Sequence, residues 1–375
     1  MAKKMRVGVI FGGRSGEHEV SLRSAASVLA ALDREKYEPV LVGISKAGQW
    51  LVGGDPLRML SEAAQAERPE PADGLRAAAS QTAPATQNGG LIPMLHYGGA
   101  RLPQMDVIFP VLHGPYGEDG TIQGLLEMAN VPYVGAGVLA SAVGMDKAVQ
   151  KDLFRQYGLP VVNDVIVKRR DWERDPGSVI AAIEAHIGYP AFVKPVNMGS
   201  SVGISRVRER DGLEQALDLA AQYDRKLLVE VAVPDPREVE CSVLGNDDPV
   251  TSVCGEIVPH REFYDYVAKY TDGSTELIVP ASIPESVSTS IRDMARRAFL
   301  AMDCAGMARV DFLMTRDLKR IYLSEVNTIP GFTSVSMYAR LFEATGISYR
   351  ELLDRLIALA LERHSERSRV KTTWT

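Results

Sequence analysis

Short apolar segments alternate with an amphipathic helical segment at the start of the chain, and this order constrains the fold more than any other feature. Residues 6–11, 38–44 and 106–111 are predicted strands, and a helix is predicted over residues 20–32. Strands that alternate with helices are typical of a parallel sheet covered on both faces. We therefore predict an α/β chain whose N-terminal part is Rossmann-like.

The rest of the chain predicts further, smaller α+β units. At roughly 150 residues per domain, 375 residues indicate two or three domains. A helix predicted over residues 145–157 ends at Gly158, with Pro160 beyond. Short strands then dominate, at residues 161–167, 191–194, 203–207, 226–231 and 238–244. Helices are predicted over residues 176–187, 212–222 and 285–302, and a hairpin over residues 307–314 and 320–327. Residues 61–90 contain Leu75 as their one large aliphatic residue, which predicts a surface insertion.

Composition excludes several classes of protein. There are 42 Lys and Arg against 48 Asp and Glu, a net charge of −6. The chain therefore lacks the surplus of basic residues that would indicate binding to nucleic acid or to an anionic membrane. An anionic ligand would therefore need a local cluster of cations. Three cysteines without CxxC spacing predict reduced, buried thiols in a cytoplasmic protein. The five-residue apolar run near the N-terminus is too short for a signal peptide, and we expect no membrane span.

The predicted C-terminal hairpin carries the strongest chemical signal. Arg309 and Asp311 share a strand face, and the turn sets Asp311 opposite Glu325 within about one residue. The returning strand is expected to show one face made of Ile321, Leu323, Glu325 and Asn327. Carboxylate and amide oxygens suit Mg²⁺ bridged to substrate phosphates. The alternative is a solvated strand face with a surface Arg–Asp pair.

A glycine- and serine-rich loop follows the strand that ends at Lys194. Its backbone N–H groups and the lysine are suited to phosphate oxygens, although it is not a Walker A loop. Residues 199–203 also match GxSxG, the nucleophile elbow of serine hydrolases, but a strand-like segment follows where that motif needs a helix. A purely structural turn is the third interpretation.

Two loops after N-terminal strands are expected to face one crevice, since ligands bind beyond the carboxyl ends of parallel strands. Residues 12–21 offer Glu17 and His18, and residues 113–120 are the second loop; solvated helix N-cap loops are the alternative. Residues 135–140 match GxGxxG/A but lack the later acidic residue of a dinucleotide site. The aromatic segment at residues 262–270 predicts a lid, or else a patch that packs on another subunit.

Together these segments resemble the D-alanine–D-alanine ligase family of the ATP-grasp superfamily. The resemblance covers nearly the whole chain in order, through GGRSGEHEVS, HGPYGEDGTIQG, MDK, KPVNMGSSVGI, YDYVAKY, MARVDF and EVNTIPGFT. It implies an N-terminal domain at residues 1–137 with an insertion at about 53–100. It also implies a central ATP-grasp domain at 138–233 and a C-terminal one at 234–375, with a lid at about 259–275. ATP as co-substrate and two Mg²⁺, for which Mn²⁺ can substitute, are implied. So are a cytoplasmic homodimer and a role in peptidoglycan synthesis, with no nucleic-acid or membrane partner.

The resemblance also implies residue roles. The catalytic set is Glu17, Ser200, Tyr270, Arg309, Gly331 and Ser336. The D-alanine sites add Val20, His113 and Met337. The nucleotide site comprises Lys147, Lys194, Ser201, Glu230, Val233, Glu238 and Lys269. The metal ligands are Asp311, Glu325 and Asn327.

Departures from the family pattern affect the nucleotide edge and the second substrate. Val231 stands where many members carry a lysine, and one residue inserted at 234–237 makes the position of Glu238 uncertain by one. Lys269 and Tyr270 resemble the lid of peptide-forming members, which favours D-alanine as second substrate. D-Serine or D-lactate as second substrate, and a non-catalytic Mg-ATP-binding module, are the alternatives.

Overall fold

The computed structural model describes residues 3–66, 105–259 and 275–371. The strands, in chain order, are β1 (Met5–Gly12), β2 (Tyr37–Ile44), β3 (Trp50–Val52), β4 (Val107–Val111), β5 (Asp164–Lys168), β6 (Ala191–Pro195), β7 (Ser205–Val207), β8 (Lys226–Val231), β9 (Arg237–Gly245), β10 (Val250–Pro259), β11 (Thr275–Ile278), β12 (Gly306–Met314) and β13 (Ile321–Asn327). The helices are α1 (His18–Ala31), α2 (Pro56–Ala66), α3 (Thr121–Met128), α4 (Val138–Met145), α5 (Lys147–Gln156), α6 (Arg169–Arg174), α7 (Pro176–His186), α8 (Leu213–Tyr223), α9 (Glu285–Ala301), α10 (Met337–Ala344) and α11 (Tyr349–Ser368).

The N-terminal sheet has the order β3-β2-β1-β4. Strand β1 pairs in parallel with both β2 and β4, which confirms the predicted parallel sheet. Both faces of β1 are buried. Val9 and Phe11 pack in one core cluster, and Ile10 packs in another. Such continuous burial is typical of a central parallel strand. The short antiparallel strand β3 was not predicted.

The central sheet, in the order β5-β8-β6-β7, is antiparallel. One face packs against helices through an apolar cluster that includes Trp172, Ile183 and Leu217. Because side chains alternate along a strand, Lys194 of β6 and Glu230 of β8 belong to the opposite face. That face is turned toward α5, whose Lys151 donates to Glu230.

The C-terminal sheet, in the order β11-β10-β9-β12-β13, packs α9 against one face through Ile291, Ala295 and Phe299. The hairpin of β12 and β13 sets Asp311 opposite Glu325, as predicted. The register shifts after this pair, because Leu323 faces Phe312 and Ser324 has no partner. Such a bulge reverses which side chains share a face.

The bulge corrects one sequence prediction. Ile321 and Leu323 do not share the polar face with Glu325 and Asn327. Leu323 is buried in the core cluster that also contains Val326, and Ile321 packs against that cluster. The polar face of β13 therefore begins only at Glu325.

Several element boundaries differ from prediction. The helix predicted over residues 145–157 is interrupted at Asp146, whose carboxylate accepts a hydrogen bond from the Val149 amide and caps α5. Strand β10 was not predicted, and residues 67–104 and 260–274, which include most of the predicted insertion and lid, lie outside the described residues.

All three cysteines are free and buried, as expected. None of the described helices has the length and apolar character needed to cross a membrane.

Candidate active site

The hairpin brings three predicted residues into direct contact. Arg309 donates to Asp311 through Nε–Oδ1 at 2.8 Å and Nη2–Oδ2 at 2.7 Å. Asn327, opposite Arg309 in the register, donates from Nδ2 to Asp311 Oδ2 at 2.9 Å. Arg309 Nε also lies 3.1 Å from Oε2 of Glu240, on the neighbouring strand β9. Burial alone would lower the pKa of Arg309, but the charges of Asp311 and Glu240 raise it well above its ordinary value. A permanently cationic guanidinium therefore lies among carboxylates.

Glu17 connects the N-terminal sheet with the glycine- and serine-rich loop. It precedes α1, yet its side chain does not cap that helix; its carboxylate accepts a hydrogen bond from the Ser200 hydroxyl. The loop at residues 113–120 and the glycine- and serine-rich loop both approach the Glu17 carboxylate at a glycine. A Cβ at Gly114 would lie 2.7 Å from Glu17 Oε2, and a Cβ at Gly199 would lie 2.8 Å from the same atom. Ser200 and Ser201 both have positive φ, 49° and 60°, which is uncommon outside glycine. The predicted contact between Glu17 and Ser200 is therefore present in the structure.

His18 is buried at the start of α1, directly after Glu17. The side chain is 2 % exposed, and Nδ1 lies 2.9 Å from the carbonyl oxygen of Gly13. His18 therefore stabilises the loop that carries Glu17, and its contact with a ligand stays a prediction. The loop that carries Glu17 also needs a glycine at position 12. The φ of Gly12 is +90°, and a Cβ there would lie 2.1 Å from the Ile44 carbonyl oxygen.

His113 joins the second N-terminal loop to the segment that follows β13. Nδ1 lies 3.0 Å from the Ile329 carbonyl oxygen, and Nε2 lies 3.0 Å from the Ser24 hydroxyl. Burial lowers the pKa of His113, although the charge of Glu17 opposes that shift. His113 is therefore a neutral, well-anchored side chain beside Glu17.

Glu118, in the same loop, was not among the predicted site residues. Its Oε2 accepts a hydrogen bond from the Gly114 amide at 2.6 Å. Burial, followed by the negative charge of Glu17, raises the pKa of Glu118 to about 8, with a smaller contribution from Glu325. This carboxyl group thus lies within the electrostatic reach of both the N-terminal and the C-terminal parts of the site.

Two lysines face the site from α5 and β6. Lys147 donates to the Met198 carbonyl oxygen at 2.8 Å and lies 3.5 Å from Glu325 Oε2, so it links the glycine-rich loop to the hairpin. Lys194 donates to Glu230 Oε1. Burial alone would lower the pKa of Lys194, but the charge and hydrogen bond of Glu230 raise it. Both lysines are ammonium groups whose present partners are carboxylates or a carbonyl.

The segment after β13 brings Gly331 and Ser336 together. A Cβ at Gly331 would lie 3.4 Å from Ser336 Oγ, and this hydroxyl accepts a hydrogen bond from the Thr333 amide at 3.0 Å. Met337 begins α10, and its buried side chain packs with Ile257. Any contact of Met337 with substrate would therefore come from its backbone.

The remaining predicted residues lie at the edges of this region or outside the described chain. Val20 is buried in α1, and Val233 is buried just after β8. Glu238 lies on β9, opposite Leu313 of β12. Lys269 and Tyr270 lie outside the described residues.

Most of the chain matches two protein-family models. Residues 6–136 match the family described as D-ala D-ala ligase N-terminus, and residues 153–358 match D-ala D-ala ligase C-terminus. A D-alanine–D-alanine ligase of Natranaerobius thermophilus is 47% identical over 373 residues, covering 100% of this chain and 99% of its own. One of Chloroherpeton thalassium is 50% identical, with 97% and 98% covered. The chain belongs to the D-alanine–D-alanine ligase family.

Solved structures of this ligase family share the fold. The VanG D-Ala:D-Ser ligase from Enterococcus faecalis has a TM-score of 0.79 at 34% identity, covering 96% of this chain and 100% of its own. The D-alanine–D-alanine ligase from Coxiella burnetii has a TM-score of 0.78 at 35% identity, with 98% and 97% covered. The fold is therefore ATP-grasp, as the resemblance implied.

Sequence reasoning about this ligase missed Lys151 as well as Glu118 and Glu240. Lys151 is 2 % exposed and lies one helical turn after Lys147 on α5. Lys147, Lys151 and Arg155 recur at i, i+4 and i+8, which places them on one helix face. That spacing places Lys151 on the helix face of Lys147, but it does not distinguish Lys151 from the exposed Arg155.

Proposed function

We propose that this protein joins two D-alanines into D-alanyl-D-alanine, with conversion of ATP to ADP and phosphate, for peptidoglycan precursor synthesis. One observation carries the proposal. The loop whose Ser200 donates to the Glu17 carboxylate and the hairpin whose Arg309 lies between acids are joined by one lysine. Lys147 provides the link, through Met198 of the glycine-rich loop and Glu325 of the hairpin.

The proposed reaction has two steps. The carboxylate of the first D-alanine attacks the γ-phosphate, which gives a D-alanyl phosphate and ADP. The amine of the second D-alanine then attacks the acyl carbon, and phosphate leaves. Such phosphoryl transfer depends on positioning and on positive charge near the phosphate oxygens. Lys147 and Lys194 supply that charge. Ser201, in the glycine- and serine-rich loop, is a further proposed residue of the nucleotide site.

The substrate groups have matching partners in the site. Glu17, held by Ser200 and with Tyr270 completing the set, binds the ammonium of the first D-alanine. Arg309 and the Gly331 amide stabilise the oxyanion that forms at the acyl carbon. Ser336 anchors the carboxylate of the second D-alanine.

The remaining subsites follow from the same assignment. Val20, His113 and the Met337 backbone line the D-alanine sites. The proposed nucleotide-binding residues are Glu230, Val233, Glu238 and Lys269. Of these, Lys269 belongs to the lid.

The metal-binding part of the proposal involves Asp311, Glu325 and Asn327. No group of three or more Asp, Glu, His or Cys side chains among the described residues is arranged to hold a metal ion on its own. Two carboxylates and one amide are instead a partial set of hard oxygen ligands. This set fits Mg²⁺, or Mn²⁺, held jointly with phosphate oxygens. When bound, the ions would neutralise charge on the phosphates.

The assembly and location of the protein belong to the same proposal. We infer three domains at residues 1–137, 138–233 and 234–375, which follow the three separate sheets closely. A cytoplasmic homodimer is proposed on the pattern of the family. Sedimentation equilibrium of the full chain tests the dimer.

The deciding experiment is phosphate release from Mg-ATP, with products identified by mass. The substrates are D-alanine alone, L-alanine alone, and D-alanine mixed with D-serine or D-lactate. The proposal expects phosphate and D-alanyl-D-alanine with D-alanine, and no turnover with L-alanine. A mixed product made in preference to D-alanyl-D-alanine would contradict D-alanine as second substrate. Binding of Mg-ATP without turnover would indicate a non-catalytic module.

A further inference from the structure

Two buried carboxylates lie directly across from each other in the central sheet. Asp164 of β5 pairs with Glu230 of β8 in the antiparallel register. Their side chains are only 5% and 6% exposed. Like charges at opposite positions of neighbouring strands destabilise a sheet, and burial increases that cost. This pair therefore needs a cation.

Lys151 supplies the cation from α5, outside the sheet. Its Nζ donates to Glu230 Oε2 at 2.7 Å and lies 3.7 Å from Asp164 Oδ1. A longer contact of 3.4 Å reaches the Val162 carbonyl oxygen. The lysine side chain is 2% exposed, so these contacts are shielded from bulk water.

The arrangement continues in both directions as a chain of alternating charges. Glu230 Oε1 accepts from Lys194 on the site side, and Asp164 Oδ1 accepts from Arg155 on the outer side. Burial alone would raise the pKa of Glu230, but Lys194 and Lys151 lower it to about 2. Each oxygen of Glu230 thus has its own lysine.

We propose that Lys151 is a positioning residue for the nucleotide site, which holds the Glu230 carboxylate in place and through it sets the position of Lys194. The inference rests on the proposed function, because it takes Glu230 and Lys194 as groups that meet ATP. Glu230 lies between Lys151 and Lys194, so Lys151 acts through this carboxylate. It acts by separating Asp164 from Glu230.

Replacement of Lys151 has a specific expected effect. In Lys151→Met, Glu230 keeps Lys194 and Asp164 keeps Arg155, but no cation lies between the two carboxylates. Their repulsion then displaces Glu230, and the position of Lys194 is no longer fixed. The first D-alanine is held by Glu17 and Ser200, which belong to other elements. We therefore expect the KM for ATP to rise at least about tenfold, since breaking a buried charge pair costs several kcal/mol. The KM for D-alanine should change less than about twofold.

A double variant separates positioning from a general loss of structure. Lys151→Met combined with Asp164→Asn removes the cation and one of the two opposed charges, so most of the affinity for Mg-ATP should return. Lys151→Arg keeps the cation and should retain more affinity than Lys151→Met. Lys36→Met, which removes an exposed ion pair with Asp354 at 2.7 Å in another part of the chain, is the control for the loss of one lysine charge and should leave Mg-ATP affinity unchanged.

Calorimetric titration of each full-length variant with Mg-ATP, without D-alanine, is the primary measurement. It reports on Lys151 even if the enzyme proves to use another second substrate, and steady-state kinetics then gives the two KM values. Unchanged Mg-ATP affinity in Lys151→Met would overturn the inference. So would an equal rise in both KM values, or a double variant that binds no better than the single one. If Lys151→Met does not fold, the comparison of Lys151→Arg and the double variant with wild type decides in the same way.

Discussion

Replacement of Glu118 by Gln tests the electrostatics of the site most directly. Burial and the charge of Glu17 raise the pKa of this carboxyl from 4.5 to about 8 in the folded protein. In the unfolded chain the carboxyl returns to its ordinary value. Between these two pH values the folded state binds more protons, so the free energy of unfolding falls as pH rises. The contribution of the protonated Glu118 to the free energy of unfolding is fully present below about pH 4.5 and is lost once the pH passes about 8.

The expected magnitude follows from the size of this shift. At about 1.4 kcal/mol per pH unit, the full range corresponds to at most about 5 kcal/mol, and the interval from pH 5.5 to 8.5 to about 3 kcal/mol. Glu118→Gln has no charge to lose, and its amide oxygen can still accept from the Gly114 amide. The difference in Tm between the variant and wild type should therefore shift in favour of the variant between pH 5.5 and 8.5, by on the order of 5 °C.

Scanning calorimetry at one scan rate, between pH 5.5 and 8.5, measures this difference. Glu35→Gln, which changes an exposed carboxylate in the same part of the chain, is the control for loss of a surface charge and should change Tm only slightly. A Tm difference for Glu118→Gln that is constant across this range would refute the reasoning. It would mean that Glu118 is ionised in the folded protein throughout.

Three further predictions concern the reaction and the fold. Arg309→Ala should lower kcat by about 10²–10³, the usual loss for one oxyanion donor, with Mg-ATP binding retained in calorimetry; an unchanged kcat would remove Arg309 from the mechanism. Glu17→Gln should raise the KM for the first D-alanine at least about tenfold while the KM for ATP stays constant, and equal effects on both would contradict its role. Gly12→Ala puts a Cβ 2.1 Å from the Ile44 carbonyl oxygen at φ +90°. It should cost more than the roughly 1–2 kcal/mol of left-handed backbone alone. Gly53→Ala, at φ +84° with nothing within 4 Å, measures that backbone cost in the same denaturation experiment.

The hairpin shows which parts of the site can be predicted from sequence. Asp311 and Glu325 are joined by a short turn, so their register follows from local spacing, and their pairing is confirmed. The bulge at Ser324 could not be predicted in the same way. It depends on Leu323 reaching the core beneath α9, which is a contact between distant segments. A strict alternation therefore placed Leu323 on the wrong face.

The charges around Lys151 show the opposite case. Asp164 and Glu230 are 66 positions apart, and only the pairing of β5 with β8 makes them neighbours. The sequence predicted both strands and the helix that carries Lys151, but not how they pack. A lysine in an amphipathic helix is usually exposed, and only the sheet beneath α5 makes this one buried.

The cations of the site, in the structure described here, already have anionic or carbonyl partners. Lys194 is paired with Glu230, Lys147 lies near Glu325, and Arg309 is held by Asp311. A chain with a net charge of −6 attracts no anion through its overall field, so binding depends on these local pairs. Under the proposed function, Mg-ATP brings charges of both signs at once: phosphates for the lysines, and a divalent ion for the carboxylates. The hairpin carboxylates and the lysines would then gain partners of opposite sign, while Glu230 keeps Lys151 and Lys194. Buried charges are tolerated in a low-dielectric site only when they are paired in this way.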